Sequence, residues 1–111
     1  MSDGDALDAR RVLQPTRARL TIWHSRAAFL SVVAKQPKRH SPAGEALAGQ
    51  CERLIAEISE ERERISLEAK SAGVLDHRLV LTTLDELSLL LSNLEDSLDG
   101  LRADESDRRS E

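Results

Sequence analysis

The sequence predicts an all-α fold, a three-helix antiparallel bundle with a long coiled-coil-like hairpin. Apolar residues recur at spacings of three and four in three long segments, and proline and glycine fall between those segments. The chain of 111 residues is 40% hydrophobic, yet its only aromatic residues are Trp23 and Phe29. A core of Leu, Ile, Val and Ala suits packed helices better than sheets. We expect one bundle domain over residues 10–101, a flexible acidic tail over 1–9 and a flexible polar tail over 102–111.

The first helix is predicted over about residues 15–35. Pro15 suits a first helical position, and Pro37 prevents the helix from continuing. Its apolar stripe comprises Leu20, Trp23, Ala27, Leu30 and Ala34, and is widened by Ile22, Phe29 and Val33.

The second helix is predicted over about residues 42–71. Ser41 can cap it, Pro42 suits its first position, and Gly73 can end it in the left-handed conformation. Glu61 occupies a position where the apolar pattern calls for a hydrophobic residue. The pattern itself comprises Leu47, Cys51, Leu54, Ile58 and Ile65, with Ile55 beside it.

The third helix is predicted over about residues 77–99, with Asp76 as its cap and Gly100 as its end. Its short connection to the second helix predicts an antiparallel hairpin. Leu81 and Leu90 flank its apolar stripe, so we expect a face broad enough to contact both other helices. The stripe keeps heptad spacing over about three heptads. It comprises Val80, Leu84, Leu87, Leu91, Leu94, Leu98 and Leu101.

Charge is distributed unevenly along the chain. Residues 10–40 carry a formal charge of +8 and no acidic residue, whereas residues 41–111 carry −9. The basic residues can pair with the acidic hairpin, bind nucleic acid with Trp23 stacking on a base, or lie on an anionic membrane. The candidate nucleic-acid-binding residues are Arg17, Arg19, Arg26, Lys38 and Arg39.

Motifs for catalysis are lacking in the sequence. It has no glycine-rich phosphate loop, no HExxH and only one cysteine, Cys51, while His24, His40 and His77 lie in three different segments. We therefore expect a protein that is not an enzyme and has no cofactor, metal or small-molecule substrate. The longest nearly apolar run, residues 27–34, is far shorter than the ~20 residues of a membrane span. The single cysteine and the acidic start favour a cytoplasmic location.

The pattern favours a protein-interaction module, such as an adaptor, a chaperone-like protein or a regulator. It would bind a partner protein, or a second copy of the chain as a homodimer, through apolar helix faces. Leu79 and Leu89 point away from the stripe of the third helix, and Asp85, Glu86 and Asp96 form an acidic rim around them. These five residues are the predicted partner-binding site. The alternative is a nucleic-acid-binding regulator that uses the basic segment 10–40.

Overall fold

The computed structural model describes the backbone of residues 3–35 and 43–110 and the side chains of residues 4–35 and 44–102. Three helices account for nearly all of this part of the chain: α1 (Asp3–Lys35), α2 (Ala43–Ala72) and α3 (Arg78–Ser110). Each packs against the other two, which confirms the predicted all-α three-helix bundle. Ser41 and Pro42, the predicted start of the second helix, lie outside the described residues.

Contacts between side chains show that α2 runs antiparallel to both neighbours. Towards α1, Thr16 meets Glu61. One helical turn further along α1, Arg19 meets Glu57, which lies earlier in α2. Towards α3, Arg62 donates to Ser88 at 3.3 Å, and Arg102 pairs with Glu52. Helices α1 and α3 are therefore parallel, in a bundle that measures 62 × 21 × 17 Å.

A single apolar core runs along the bundle between the three helices. The predicted stripes of α2 and α3 form half of it, and α1 contributes from two regions, one around Leu13 and one around Trp23 and Leu30. Because each stripe keeps the spacing of a helix face, burying it brings successive turns of the described helices into the core. The buried apolar residues are Ala9, Val12, Leu13, Trp23, Ala27, Leu30, Cys51, Leu54, Ile58, Ile65, Ala69, Val74, Val80, Leu87, Leu90, Leu91, Leu94 and Leu101.

The predicted start of the first helix at Pro15 is wrong, because α1 begins at Asp3 and Pro15 lies inside it. The residues predicted as an acidic tail, from Asp3 to residue 9, are therefore helical. The 4-3 stripe continues backwards from Leu20 through Thr16 and Leu13 to Ala9, and these three are buried. An internal proline costs about 3 kcal/mol. Burial of Val12 and Leu13 together, at about 1.5–3 kcal/mol each, offsets that cost.

Three predicted core side chains, those of Ile22, Phe29 and Leu81, are instead exposed. Each is the immediate neighbour of a buried residue, namely Trp23, Leu30 and Val80. One residue along a helix turns a side chain by about 100°, which is enough to move it out of the core. Leu90, predicted to flank the stripe of α3, is buried as expected.

The connection from α2 to α3 is fixed by backbone hydrogen bonds around Gly73. Gly73 has a φ of 72°, the predicted left-handed conformation. Its N–H donates to the Lys70 carbonyl at 3.1 Å, and the Val74 N–H donates to the Ala69 carbonyl at 2.8 Å. These two bonds form a Schellman motif, whose apolar contact comes from the buried Ala69 and Val74.

The start of α3 is capped by His77 and not by Asp76 as predicted. The Nδ1 atom of His77 accepts a hydrogen bond from the N–H of Leu79 at 3.1 Å. The His77 carbonyl accepts the bond from Leu81 N–H at 3.0 Å. His77 therefore occupies the N-cap position, with its ring nitrogen in place of the usual side-chain oxygen.

Gly100 does not end α3, which continues to Ser110 through most of the predicted polar tail 102–111. A Cβ atom at position 100 would lie 3.4 Å from the Cβ of Ala34. Gly100 therefore permits a close approach of α1 and α3. Leu101, one residue later, is buried and keeps the helix attached to the core.

The register of α3 can be tested by truncating two leucines that lie two residues apart. The side chain of Leu91 is 6% exposed and that of Leu89 is 63% exposed. We expect Leu91→Ala to lower the free energy of unfolding by about 2–5 kcal/mol because it leaves a cavity. Leu89→Ala should change it by less than about 0.5 kcal/mol. Urea unfolding of both variants measures the difference, and equal losses would contradict this register.

Candidate functional site

The side of α1 that faces away from the core carries large apolar side chains. Leu7 is 58% exposed, Ile22 53%, Phe29 57% and Val32 57%. We call these four residues the outer face of α1. A helix that is apolar on both sides is normally covered on both sides, because each apolar face avoids water. In this structure the core covers only one of them.

A groove of about 490 Å³ separates α1 from α2 next to Phe29. Its floor is apolar and contains Leu30 and Leu54, both of which are buried. Arg26 and Phe29 form one wall, and Gln50, Arg53 and Glu57 form the other. The groove exists because α1 and α2 contact each other less extensively than either contacts α3. The outer face therefore borders a concave surface with a hydrophobic base.

A buried polar network joins α1 to α2 further along the same interface. Glu61 occupies the hydrophobic position of the α2 stripe and is buried, as is Thr16 on α1. The Thr16 hydroxyl donates to Oε2 of Glu61 at 2.9 Å. Arg64 Nε donates to Oε1 of the same carboxylate. Both carboxylate oxygens are thus satisfied, as a buried charge requires.

Arg64 connects this network to the backbone of α1. Its Nη2 donates to the Val12 carbonyl at 3.0 Å and to the Thr16 hydroxyl at 3.1 Å. Its Nη1 donates to Glu68, one turn later on α2, at 2.6 Å. Val12 lies three residues before Pro15, where the helix lacks one of its own N–H donors. The proline leaves the Arg11 carbonyl without its usual donor, and Arg64 donates to the neighbouring carbonyl in the same turn.

The environment shifts the pKa values of both charged residues in directions that favour the ionised pair. Burial alone would raise the pKa of Glu61, but hydrogen bonds from Arg64 and Thr16 and the charges of Arg64 and Arg19 hold it below its ordinary value. The hydrogen bond to Glu61 raises the pKa of Arg64, and burial opposes that shift. All members of this network lie on α1 or α2 and bind one another, so we interpret it as structural. It fixes the position of α1 along α2.

The predicted partner-binding residues on α3 are exposed or half-buried but do not form one patch. Leu79 and Leu89 are ten residues apart, which corresponds to about 15 Å along the helix and about 80° around it. Glu86 accepts a hydrogen bond from His24 of α1, with 2.7 Å between the two atoms, and so belongs partly to the α1–α3 contact. Asp85 and Asp96 are exposed. The outer face of α1 presents more exposed apolar side chains than these residues do.

The basic residues of α1 are exposed, but their predicted aromatic companion is not. Trp23 is buried in the core, as its place in the predicted apolar stripe indicates, so its ring is not available to stack on a base in the alternative interpretation. The Nη1 atom of Arg19 lies 3.8 Å from Oε1 of Glu57, and its Cζ atom lies 6.0 Å from the centroid of the Trp23 ring. Arg17 and Arg26 form no ion pair within 4 Å with another described side chain. Lys38 and Arg39 lie outside the described residues.

Metal-binding clusters are not found among the described residues: no three of their His, Cys, Asp and Glu side chains lie close enough together to hold an ion. Cys51 is buried, its thiol donates to the Leu94 carbonyl at 3.0 Å, and burial raises its pKa. His40 lies outside the described residues. In the described part of the chain, no helix has the length and apolarity needed to cross a membrane.

Comparison of the chain with protein-family models, with curated proteins and with solved structures finds no match.

The outer face of α1 was missed by sequence reasoning, although the sequence contains a signal for it. Ile22 and Phe29 are separated by one heptad and stand one residue before the buried Trp23 and Leu30. Such a pattern indicates two apolar rows on one helix, and only one of them can face a given core. A single broad stripe was predicted because both rows were assigned to the same side.

The network around Glu61 makes stability depend on pH. Because the folded-state pKa of Glu61 is lowered, its ionised form stabilises the fold above the ordinary carboxyl pKa, and this contribution is lost as pH falls through the folded-state value. We expect Glu61→Gln to reduce the free energy of unfolding by about 1–3 kcal/mol at neutral pH. The difference in the free energy of unfolding between this variant and the wild type should become smaller as the pH falls.

Urea unfolding measured at several pH values, from about 7 down to about 3, tests this expectation. Glu63→Gln is the matched control, because Glu63 lies two residues away and is exposed. A difference for Glu61→Gln that stays constant with pH, or an equal effect of Glu63→Gln, would contradict the assigned role.

Proposed function

We propose that the protein is a non-catalytic helical interaction module that binds a partner protein through the outer face of α1. The observation that carries this proposal is the exposure of more than half of each of the four large apolar side chains of that face. Ile22, Phe29 and Val32 follow one another on this face at spacings of seven and three residues, and a patch of exposed apolar side chains on a small domain typically marks a binding site. An adaptor, a chaperone-like protein and a regulator all require such a surface.

Phe29 is the residue that we expect to contribute most to binding. Aromatic side chains are enriched in protein interfaces, where they act as anchors that fill a pocket on the partner. Phe29 is one of two aromatic residues in the chain, and the fold exposes it while burying Trp23. It also borders the groove beside α2, so a bound partner can contact its ring and the groove floor together.

Site-specific photo-crosslinking in the native host tests the proposal. A photoreactive phenylalanine analogue at position 29 should give a discrete protein adduct, because that position would lie inside the interface. The same analogue at position 89 is the control, since Leu89 is at least as exposed but lies on α3. Absence of a protein adduct from position 29, or identical adducts from both positions, would contradict the proposal.

A loss-of-binding experiment complements the crosslink. We expect Ile22→Ser combined with Phe29→Ser to weaken binding of the captured partner at least about tenfold, which is the effect of losing about 1.4 kcal/mol. Because both side chains are exposed, the free energy of unfolding should change little. Partner binding is measured by titration with the purified proteins. Retained affinity, or a loss explained by unfolding, would remove the outer face from the interface.

Nucleic-acid binding is the second candidate function, favoured by the exposed Arg17 and Arg26 on α1. We expect a labelled oligonucleotide to show at most weak binding at low salt, because the acidic remainder of the chain opposes it. Tight binding that falls steeply with salt, and that Arg17→Glu with Arg26→Glu abolishes, would favour this candidate instead. Fluorescence anisotropy over a salt series measures it.

A further inference from the structure

The two walls of the groove between α1 and α2 each present a row of residues at helical spacing. Each row follows the spacing four, three, four, so its members lie on one side of their helix. Two such rows, one from each of two neighbouring helices, are what an additional helix contacts when it joins a bundle. The row on α1 is Ile22, Arg26, Phe29 and Val33, of which Arg26 and Phe29 line the groove, and the row on α2 is Ala46, Gln50, Arg53 and Glu57, of which the last three line it.

Positive charge lies on both sides of this groove. Arg26 on α1 and Arg53 on α2 line it, and neither pairs within 4 Å with an acidic side chain of the described residues. Arg53 makes one bond, from Nε to the Gly49 carbonyl at 3.4 Å. Glu57, the one acidic residue of the walls, already pairs with Arg19, with 3.8 Å between its Oε1 atom and Nη1 of Arg19. A helix placed in the groove therefore meets an apolar floor between two arginines.

We propose that this groove binds an acidic amphipathic helix of the partner, which completes a four-helix arrangement. This inference rests on the proposed function and adds the chemistry of the partner to it. Apolar side chains of the partner would pack chiefly on the exposed ring of Phe29, above the floor that Leu30 and Leu54 form. Asp or Glu residues on either side of its apolar stripe would pair with Arg26 and Arg53.

The other grooves of the bundle are less suited to a helix. The depression between α1 and α3 holds about 200 Å³ and is lined largely by small or polar residues, including Ser31, Asn93 and Ser97. Between α2 and α3, the hydrogen bond from Arg62 to Ser88 crosses the outer surface that an additional helix would need to contact. A second copy docked symmetrically through the α1–α2 groove would bring its own Arg26 and Arg53 to the same face, where like charges repel. The charge of the groove therefore favours an acidic partner over self-association.

Two labelled helical peptides of about three heptads provide the test. They share one apolar stripe and differ only in carrying Glu or Lys beside it. Their affinities for the full chain are measured by fluorescence anisotropy. We expect the Glu peptide to bind at least about tenfold more tightly than the Lys peptide. Arg26→Glu with Arg53→Glu should reverse this preference, and circular dichroism confirms that the variant remains helical.

Two matched controls locate the effect in the groove. Arg17→Glu with Arg78→Glu changes the net charge equally at exposed positions that do not line the groove, and should leave the preference for the Glu peptide in place. Phe29→Ser should weaken binding of the Glu peptide, whereas Leu89→Ser should not. Equal binding of both peptides, a reversal by the control pair, or equal effects of the two serine variants would overturn the inference.

Other occupants of the groove give distinct results. Sedimentation of the protein alone would overturn the inference if it revealed a dimer that Phe29→Ser dissociates, because a second copy would then fill the groove. Binding to phosphatidylserine vesicles that Phe29→Ser abolishes, without binding of either peptide, would overturn it in favour of a membrane surface. If the Glu peptide fails while position 29 still crosslinks to a protein, the acidic helix is excluded and the proposed function stands.

Discussion

The buried carboxylate of Glu61 constrains how α1 can lie on α2. Thr16 and Arg64 satisfy both of its oxygens, and Arg64 also holds the Val12 carbonyl. Sliding α1 by one helical turn, about 5.4 Å, would remove Thr16 and leave a buried charge short of a partner. The apolar positions of both helices would tolerate such a slide better, because one hydrophobic side chain can replace another. The polar network therefore selects one register among several that hydrophobic burial alone would allow.

That register determines which apolar residues of α1 remain outside. Because Thr16 contacts Glu61, the residues on the same side of α1 as Thr16 enter the core. Ile22 and Phe29 lie on the other side of the helix and point away from the core. Stability and binding are thus assigned to opposite sides of one helix. Side chains on the outer side contribute little to folding, so their apolar character is not explained by the isolated bundle. Their exposure carries a solubility cost that a bound partner would relieve.

Much of the bundle could be predicted from periodicity, because a helix face must repeat to be buried along its length. The stripe of α3 from Val80 to Leu101 and the left-handed Gly73 are examples. Local signals failed at Pro15 and Gly100, where tertiary burial outweighs the usual helix-ending preference. Thr16 and Glu61 are 45 positions apart in the sequence, and the residues that line the groove likewise come from two different helices. Such pairings depend on the relative rotation of two helices, which composition and spacing do not determine.

The position of Cys51 gives the bundle a built-in reporter of its own motions. The thiol is fully buried between α2 and α3 and donates to the Leu94 carbonyl, and burial disfavours its reactive thiolate form. An alkylating reagent can therefore reach the sulfur only while these two helices are apart. The rate of labelling in native buffer would measure how often the hairpin opens, without an introduced probe. Since Cys51 is the one thiol of the chain, each labelling event reports the same local separation.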